Sequence, residues 1–398
     1  FAIMAGYLAI TCMVCNGLTR LHGMYRVLVV FPLTWILIEW LRGYLFSGFA
    51  WLSVGYSQIG APLSGFAPLG GVSLVSLLTV ISGGLLLMLF GPRREKTIAI
   101  ALLLVTWTAG AGLQQVKWTS PAGDPIRASL VQANISQDQK WLPEMFTPTL
   151  IRYDEMTRPE FGRDFIIWPE VAIPALYHDY EDRFFKPIAA AAARKQSVIL
   201  TGTIFQQADG ELFNGLTALG SGQFYRKQKL VPFGEYFPVP DRVRNWLRLM
   251  NLPYTDFSAG AANQPLLQVG GTVIGTSICY EILFGNQIRR TVPAAQLLIN
   301  ISNDAWFGRS TGPAQHLEIA RMRALETGRY LLRATGTGIT AVIRPDGQLD
   351  SQLPAFTRGV LRAEVLPMQG ATPFVRWGDW PLLTLAVLVL GISWRRIS

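Results

Sequence analysis

Residues 275–285, GTSICYEILFG, are the stretch on which the interpretation of this chain depends. Cys279 follows a short apolar run that indicates the end of a buried strand, and Tyr280 and Glu281 come directly after it. A thiol at a strand end, beside a carboxylate and among glycines, can be held at the edge of a rigid sheet, where a nucleophile is needed. A lone cysteine is more often a small buried apolar residue, so the rest of the chain has to decide between the two interpretations.

The composition is uneven along the chain. Of the 398 residues, 50% are hydrophobic and 15% are charged, whereas ordinary soluble proteins have about 25% charged residues. The apolar excess lies in residues 1–118 and again near 381–394, and the middle resembles a soluble α/β domain. The net charge of +9 comes without a basic tract interleaved with aromatic residues. It is therefore typical of cytoplasmic loops at a membrane, and we expect no nucleic-acid partner.

The cysteines and histidines do not indicate a metal or a cofactor. Cys12 and Cys15 form a C-x-x-C pair inside an apolar segment without a further Cys or His partner, which favours packing over a redox or metal role. The histidines are scattered along the chain: His22, His178 and His316. Such scatter does not predict a metal cluster. Cys279 remains as an unpaired thiol.

Several apolar segments are long enough to enter a bilayer, since about 20 apolar residues cross its core. We expect membrane helices at 1–18 (the tail of a helix), 27–45, 68–90, 97–116 and a last apolar run at 380–390. The chain begins at Phe1 inside an apolar segment, without the basic start and cleavage site of a signal peptide. We therefore expect the natural N-terminus and further spans to precede it.

Positive charges predict the orientation. Arginine and lysine concentrate at 20–26, at 91–96 and at Arg395-Arg396, so these parts are expected in the cytoplasm. The loop 47–66 and the middle domain then lie outside. We expect three regions: transmembrane helices at 1–118, a periplasmic catalytic domain at 119–368, and a C-terminal transmembrane helix with a cytoplasmic tail at 369–398.

Strand and helix patterns alternate between residues 126 and 366, which is typical of a layered α/β domain. The predicted strands lie at 126–132, 164–168, 197–203, 211–219, 223–227, 266–278, 296–301, 330–334, 338–344 and 358–365. The predicted helices lie at 147–157, 180–194 and 313–328. In the first of them Thr147 is the expected N-cap and Pro148 the first helical residue.

Three residues at predicted strand ends carry matching chemistry. Glu170 follows the strand at 164–168, Lys227 closes the strand at 223–227, and Cys279 ends its own strand. A carboxylate base can generate the thiolate that a cysteine needs for attack. An ammonium group beside it would stabilise both the thiolate and the oxyanion of a tetrahedral intermediate. Each residue alone has an ordinary structural explanation, but the combination predicts a catalytic triad.

Glu170, Lys227 and Cys279, in this order, resemble the triad of the nitrilase (carbon–nitrogen hydrolase) superfamily. Longer motifs resemble the apolipoprotein N-acyltransferase family within it: WLSVGYSQ at 51–58, WPE at 168–170, YRKQKLVPFGEYFP at 225–238, ICYE at 278–281, NISNDAWFG at 300–308 and TPFVRWGDWP at 372–381. The resemblance implies a nitrilase-like αββα sandwich inserted between the helices of a multi-span membrane domain, without a cofactor.

The resemblance also implies roles. Glu170 would be the general base, Lys227 the cation that stabilises the oxyanion, and Cys279 the nucleophile. Glu235 matches a second functional carboxylate that orients the lysine or the substrate, although it could simply stabilise its turn. The remaining matches are supporting residues: Trp141, Tyr280 and Glu281 near the nucleophile, and Asn300, Ser302 and Asn303 at the pocket wall. For Trp141 and Tyr280 core packing is the alternative.

The implied reaction is a two-step acyl transfer. The thiolate would take an acyl chain from a phospholipid, usually the sn-1 chain of phosphatidylethanolamine in this family, and form a thioester. The α-amine of the diacylglyceryl-cysteine of an apolipoprotein would then attack it. Both substrates are lipids, so the site is expected at the periplasmic face of the bacterial inner membrane, in contact with membrane lipids. The apolar stretch 242–258 is a candidate lid, with a surface helix as its alternative.

Two other functions remain in competition. A membrane-tethered nitrilase-type amidase would use the same triad with water in place of the amine, but it needs neither the spans nor an apolar arm. A transporter would need paired charges or broken helices at the bilayer centre. The predicted spans offer Pro32, Glu39 and Arg42, and the two charged residues lie near a helix end.

Overall fold

The computed structural model describes residues 2–17, 21–45, 48–236 and 257–395. Apart from Phe257 and Ser258, the candidate lid at 242–258 lies outside the described residues.

The described part of the chain contains fourteen strands, numbered in chain order. They are β1 Ser120–Pro121, β2 Ile126–Gln132, β3 Phe165–Ile167, β4 Val198–Gln206, β5 Leu212–Ala218, β6 Phe224–Arg226, β7 Leu267–Val269, β8 Thr272–Ile278, β9 Leu297–Ser302, β10 Leu331–Thr335, β11 Thr340–Ile343, β12 Leu349–Leu353, β13 Gly359–Val365 and β14 Met368–Gln369.

The strands form two six-stranded sheets, ordered β13-β2-β3-β4-β5-β6 and β12-β11-β10-β9-β8-β7, and a small pair of β1 with β14. Neighbours are parallel from β2 to β4 and from β8 to β10, and antiparallel elsewhere. Buried chains from both sheets share one core cluster, so the sheets pack face to face. In β9, Leu297, Ile299 and Ile301 enter this core, whereas Leu298 packs on the outer side.

Helices cover both outer faces and extend toward the membrane part. They are Ala2–Gly17, Gly23–Arg42, Ala67–Met88, Arg93–Leu113, Gln137–Lys140, Pro143–Thr157, Tyr177–Tyr180, Lys186–Ala193, Gly285–Thr291, Gly312–Thr327, Pro373–Trp377 and Trp380–Arg395. The helix Gly312–Thr327 lies on the outer face of the second sheet, and its buried residues share a cluster with those of Ala67–Met88. The described architecture is the expected αββα sandwich joined to apolar helices.

Three helices are long and apolar enough to cross a membrane: Gly23–Arg42, Pro62–Met88 and Arg93–Leu113. Shorter apolar helices lie at Met4–Gly17 and Trp380–Arg395. The second long helix breaks at Gly70 and Gly71, and Gly71 has φ +66°. A Cβ on Gly71 would lie 2.4 Å from the ring of Phe374. The glycine therefore lets this helix approach the short helix Pro373–Trp377 closely.

The charged residues near the end of the Gly23–Arg42 helix have structural partners. Glu39 accepts hydrogen bonds from the Val54 amide at 2.8 Å and from the Trp35 indole at 3.3 Å. Arg42 lies 4.0 Å from Glu39. These contacts attach the helix end to the loop that follows it, which does not support the transporter alternative.

Most predicted strands and helices of the middle domain are confirmed, with some wrong boundaries and several omissions. The helix expected at 147–157 with Thr147 as N-cap instead begins at Pro143, which takes the first helical position and leaves Pro148 inside the helix. The omissions are the strands β1, β12 and β14 and the short helices Gln137–Lys140, Gly285–Thr291 and Pro373–Trp377. The alternating burial of β12 reflects its position at the edge of the sheet. The single strand expected at 266–278 is also wrong, since a turn at Gly270 and Gly271 divides it into the antiparallel strands β7 and β8.

Candidate active site

Cys279 lies directly after β8, at the start of a 3₁₀ turn, Cys279–Leu283. Its φ is +49°, in the left-handed region, which costs a residue with a side chain roughly 1–3 kcal/mol. The residue is partly exposed. Such a sharp, strained turn at a strand end holds the thiol at the edge of the sheet rather than within it.

Glu281 holds this turn in place. It is fully buried and accepts the amides of Ile278 at 2.8 Å and Gln228 at 2.7 Å. The hydroxyl of Tyr225 also donates to it, at 2.9 Å. Burial raises the pKa of Glu281, although these hydrogen bonds act in the opposite direction. The carboxyl group therefore joins the turn of Cys279 to the chain segment that follows Arg226, and its role is to position both.

Lys227 lies between two carboxylates. Its Nζ is 3.1 Å from Oε1 of Glu170 and 2.9 Å from Oε1 of Glu235. Because β4, β5 and β6 are successively antiparallel, β6 runs in the same direction as β3, and Lys227 and Glu170 leave the sheet at the same edge. Cys279 leaves the other sheet at its carboxyl end. The sandwich thus brings together three residues that are far apart in the sequence.

Two asparagines complete the carboxylate environment. The side-chain amide of Asn214 donates to Glu170 at 2.7 Å and to Glu235 at 3.0 Å. The backbone amide of Asn303 donates to the second oxygen of Glu170 at 2.9 Å. Asn214 was missed by the sequence analysis; the available signal was a polar side chain within the otherwise apolar strand β5.

Glu170 and Lys227 each shift the pKa of the other toward the charged form. Burial by itself raises the pKa of Glu170, but the Lys227 ammonium and the hydrogen bonds from Asn214 and Lys227 outweigh it, so the pKa lies below its usual value. Burial lowers the pKa of Lys227, but Glu170 and Glu235 outweigh it and raise the pKa well above normal. We therefore treat the carboxylate and the ammonium as charged at neutral pH.

The thiol of Cys279 is close enough to both charges for them to affect its titration. Burial raises its pKa to about 12, and Glu170 adds to this effect, while Lys227 opposes it. The hydroxyl of Ser302 also lowers the pKa through a hydrogen bond. The resting protein therefore holds a protonated thiol beside a charged carboxylate and a charged ammonium, an arrangement in which the carboxylate can accept the thiol proton.

Lys140 is a further buried ammonium that was not predicted. Its Nζ lies 3.4 Å from the carbonyl oxygen of Glu170. Burial lowers the pKa of Lys140 to about 8, although Glu170 partly offsets this shift. Trp141, the next residue, is 53% exposed. The structure thus places the predicted tryptophan at the surface, next to a residue that contacts the backbone of Glu170.

Tyr280 connects the turn of Cys279 to the membrane part. Its hydroxyl donates to the carbonyl of Gly48 at 2.5 Å, and burial raises its pKa to about 12. Gly48 belongs to the loop between two apolar helices, with φ +83°. The turn that carries Cys279 is therefore attached directly to the loop at the membrane helices.

The other predicted supporting residues lie on or just after β9. Asn300 is fully buried and donates to the Ser277 hydroxyl at 3.0 Å, so its side chain joins neighbouring strands. Asn303 contributes its amide to Glu170, and its side chain donates to Gln137 at 2.9 Å. Ser302 donates to Asp304 at 2.7 Å. Their part in shaping a pocket stays a prediction.

A cavity of about 750 Å³ opens between the apolar helices and the α/β sandwich. Its lining includes Glu39, Lys229, Arg290, Arg323 and Asp379. Among the described residues that line it, neither Cys279 nor Glu170 is present.

Two family models match the chain: carbon-nitrogen hydrolase over residues 127–371, and the apolipoprotein N-acyltransferase N-terminal domain over residues 1–85. A relative from Methylococcus capsulatus, an apolipoprotein N-acyltransferase, is 42% identical, with 99% of this chain and 80% of that protein covered. The chain belongs to the apolipoprotein N-acyltransferase family. The apolipoprotein N-acyltransferase of Vibrio cholerae is 41% identical, with 99% of this chain and 81% of that protein covered. A solved carbon-nitrogen hydrolase from Helicobacter pylori is similar at a TM-score of 0.47 and 15% identity, over 61% of this chain and 89% of that one.

Membership in the apolipoprotein N-acyltransferase family confirms the predicted family, fold class and enzymatic activity. The chain is an acyltransferase of lipoprotein maturation, with a lipoprotein substrate and a lipid acyl donor. Like other apolipoprotein N-acyltransferases it is a membrane protein, in agreement with its apolar helices. The nitrilase-type amidase alternative lacks the support of the N-terminal match at 1–85.

Proposed function

We propose that Cys279 is the nucleophile of this acyltransferase, that Glu170 is its general base and that Lys227 stabilises the developing oxyanion. The observation that carries the proposal is the placement of the Lys227 ammonium, 3.1 Å from Glu170 and near the thiol of Cys279. Glu235 is a positioning residue, since it holds the lysine from the other side at 2.9 Å.

In the first half-reaction Glu170 removes the thiol proton as the Cys279 sulfur attacks the ester carbonyl of a phospholipid. A carbon–sulfur bond forms, the carbonyl oxygen becomes an oxyanion beside Lys227, and the carbon–oxygen ester bond then breaks. Glu170 returns the proton to the departing lysophospholipid oxygen. The enzyme is left as a thioester on Cys279.

In the second half-reaction the α-amine of the diacylglyceryl-cysteine attacks the thioester carbonyl. Glu170 takes a proton from the nitrogen, an amide bond forms, and the carbon–sulfur bond breaks. The proton passes to the Cys279 sulfur, which restores the resting thiol. An amine, rather than water, receives the acyl chain.

We propose phosphatidylethanolamine, through its sn-1 chain, as the acyl donor. We also propose that the protein lies in the bacterial inner membrane, with the catalytic region 119–368 on the periplasmic side between transmembrane regions 1–118 and 369–398. The basic segments at 91–96 and near Arg395 support this orientation. Attachment of Tyr280 to the Gly48 loop supports a site at the membrane–water interface.

The test is the intact mass of the reconstituted protein after incubation with phosphatidylethanolamine vesicles, for the wild type and for Cys279→Ala. We expect the wild type to gain the mass of one acyl chain and the variant to gain none. A diacylglyceryl-cysteine peptide should discharge the adduct, and water should do so only slowly.

Two results would contradict the proposal. Rapid discharge of the adduct by water would make the chain a hydrolase. An adduct that persists in Cys279→Ala, or no adduct at all in folded wild-type protein, would exclude Cys279 as the acyl carrier.

A further inference from the structure

His316 lies behind the backbone of Cys279, on the helix Gly312–Thr327. It is fully buried, and its Nε2 is 3.2 Å from the carbonyl oxygen of Cys279. A carbonyl oxygen only accepts hydrogen bonds, so Nε2 carries a proton and donates it. In the sequence His316 has no metal-ligand partner nearby, so no local pattern marks it as functional.

The opposite side of the ring is held by a buried ion pair. Nδ1 of His316 lies 3.0 Å from Asp304 and 2.9 Å from Arg333, and Arg333 donates to Asp304 at 2.8 Å. Burial lowers the pKa of His316, and the nearby Arg333 lowers it further, which together outweigh Asp304. In the neutral ring Nδ1 accepts from Arg333 while Nε2 donates to Cys279, so both nitrogens have a defined role.

The backbone at Cys279 needs such support. Its left-handed φ of +49° is unfavourable for a residue with a side chain, so neighbouring groups have to hold it. On the N-terminal side, Glu281 accepts the amide of Ile278 at 2.8 Å. On the C-terminal side, His316 holds the carbonyl. Because the peptide is trans, this carbonyl also determines the direction of the Tyr280 amide.

We propose that His316 is a positioning residue for acyl transfer: it holds the Cys279–Tyr280 peptide in the orientation that directs the thiol toward the substrate carbonyl. The inference rests on the proposed role of Cys279 as nucleophile. His316 itself does not transfer a proton to the substrate, since its donor is engaged by the Cys279 carbonyl.

Two substitutions separate positioning from stability. The amide nitrogen of His316→Gln reaches the position of Nε2 and can donate to the Cys279 carbonyl. The shorter His316→Asn reaches only the position of Nδ1, so it keeps a contact with Asp304 and Arg333 but not with Cys279. The measurement is the rate of acyl-adduct formation on Cys279 across a series of phosphatidylethanolamine concentrations, with the unfolding temperature of each variant.

We expect His316→Asn to lower the maximal acylation rate about 100-fold with an unchanged half-saturating phospholipid concentration, because misplacing a reacting group has effects of this size. His316→Gln should stay within about tenfold of the wild type. Glu160→Gln is the control: it alters a buried carboxylate whose partners, Ser129 and Arg362, lie on strands of the other sheet. It should change the unfolding temperature and leave the acylation rate unchanged.

The inference is overturned if His316→Asn acylates like the wild type, or if the two His316 variants lose activity equally. It is also overturned if the rates simply follow the unfolding temperatures, as a purely structural role would require. Failure of the proposed function is a different result, because the wild type itself would then form no adduct on Cys279.

Discussion

Nζ of Lys227 lies 3.1 Å from Oε1 of Glu170 in a site where Lys227 is 1% exposed and Glu170 is 7% exposed. Both charges are buried, and the attraction between them offsets the cost of removing each from water. The side-chain amide of Asn214 is an additional donor to the carboxylate. Removing one partner of such a pair leaves an uncompensated buried charge. The site therefore responds to substitution as a unit.

Lys227→Met should abolish most acyl transfer. Without the ammonium, the pKa of Glu170 should rise, and the oxyanion loses its cation, so we expect the acylation rate to fall by about 1,000-fold. Lys227→Arg should not restore it, because the planar guanidinium does not fit between Glu170 and Glu235 as a point charge does. Single-turnover acylation measured by intact mass checks both variants. A rate within about tenfold of the wild type for Lys227→Met would contradict the assigned role.

Gly202→Ala should inactivate the site without removing a functional group. A Cβ at Gly202 would lie 2.6 Å from the Cα of Glu170 and 2.6 Å from the carbonyl of Pro169. The backbone that carries the base must then shift, and we expect an acylation rate about 100-fold lower. Gly112→Ala is a matched control, because nothing lies within 4 Å of its added Cβ. Equal rates for the two variants would argue against a requirement for this close approach.

Alkylation of Cys279 by iodoacetamide should be slow at neutral pH and accelerate as the pH rises. Because burial raises the pKa of this thiol to about 12, its thiolate fraction should grow about tenfold per pH unit below that value. The experiment uses protein with Cys12→Ala and Cys15→Ala and follows the mass of the adduct. A rate that levels off below about pH 9 would show that the resting thiol is already activated.

Lys140→Met should stabilise the folded protein most at neutral pH. Burial lowers the folded-state pKa of Lys140 to about 8, so below that pH the folded protein carries the full cost of a buried charge. Between about pH 8 and the unfolded pKa near 10.4, the unfolded chain holds the proton that the folded protein has released, so the stability of the wild type rises with pH.

The advantage of Lys140→Met, on the order of 1–3 kcal/mol at about pH 7, should therefore shrink toward about pH 10. Thermal unfolding at both pH values measures it. An advantage that grows with pH would mean that the ammonium of Lys140 stabilises the fold instead.

The sequence by itself determined most of the strands and helices, and it placed reactive side chains at the ends of three strands. Apolar runs such as β9, which is buried along its whole length, predict strands, and longer apolar runs predict the membrane helices. The positions of Glu170, Lys227 and Cys279 at strand ends follow from the same local patterns. Several motifs along the chain, including ICYE at 278–281, led to the correct family.

Tertiary structure alone decided which side chains meet. Asn214 bridges Glu170 and Glu235, and His316 reaches the carbonyl of Cys279, through contacts between elements that are distant in the chain. No local pattern marks these partners. The sequence around a buried polar residue in a strand or helix is the same whether its hydrogen-bond partner is a neighbour in the chain or a distant residue such as Cys279. Packing of the two sheets fixes those distances, and with them the charges and the backbone geometry at Cys279.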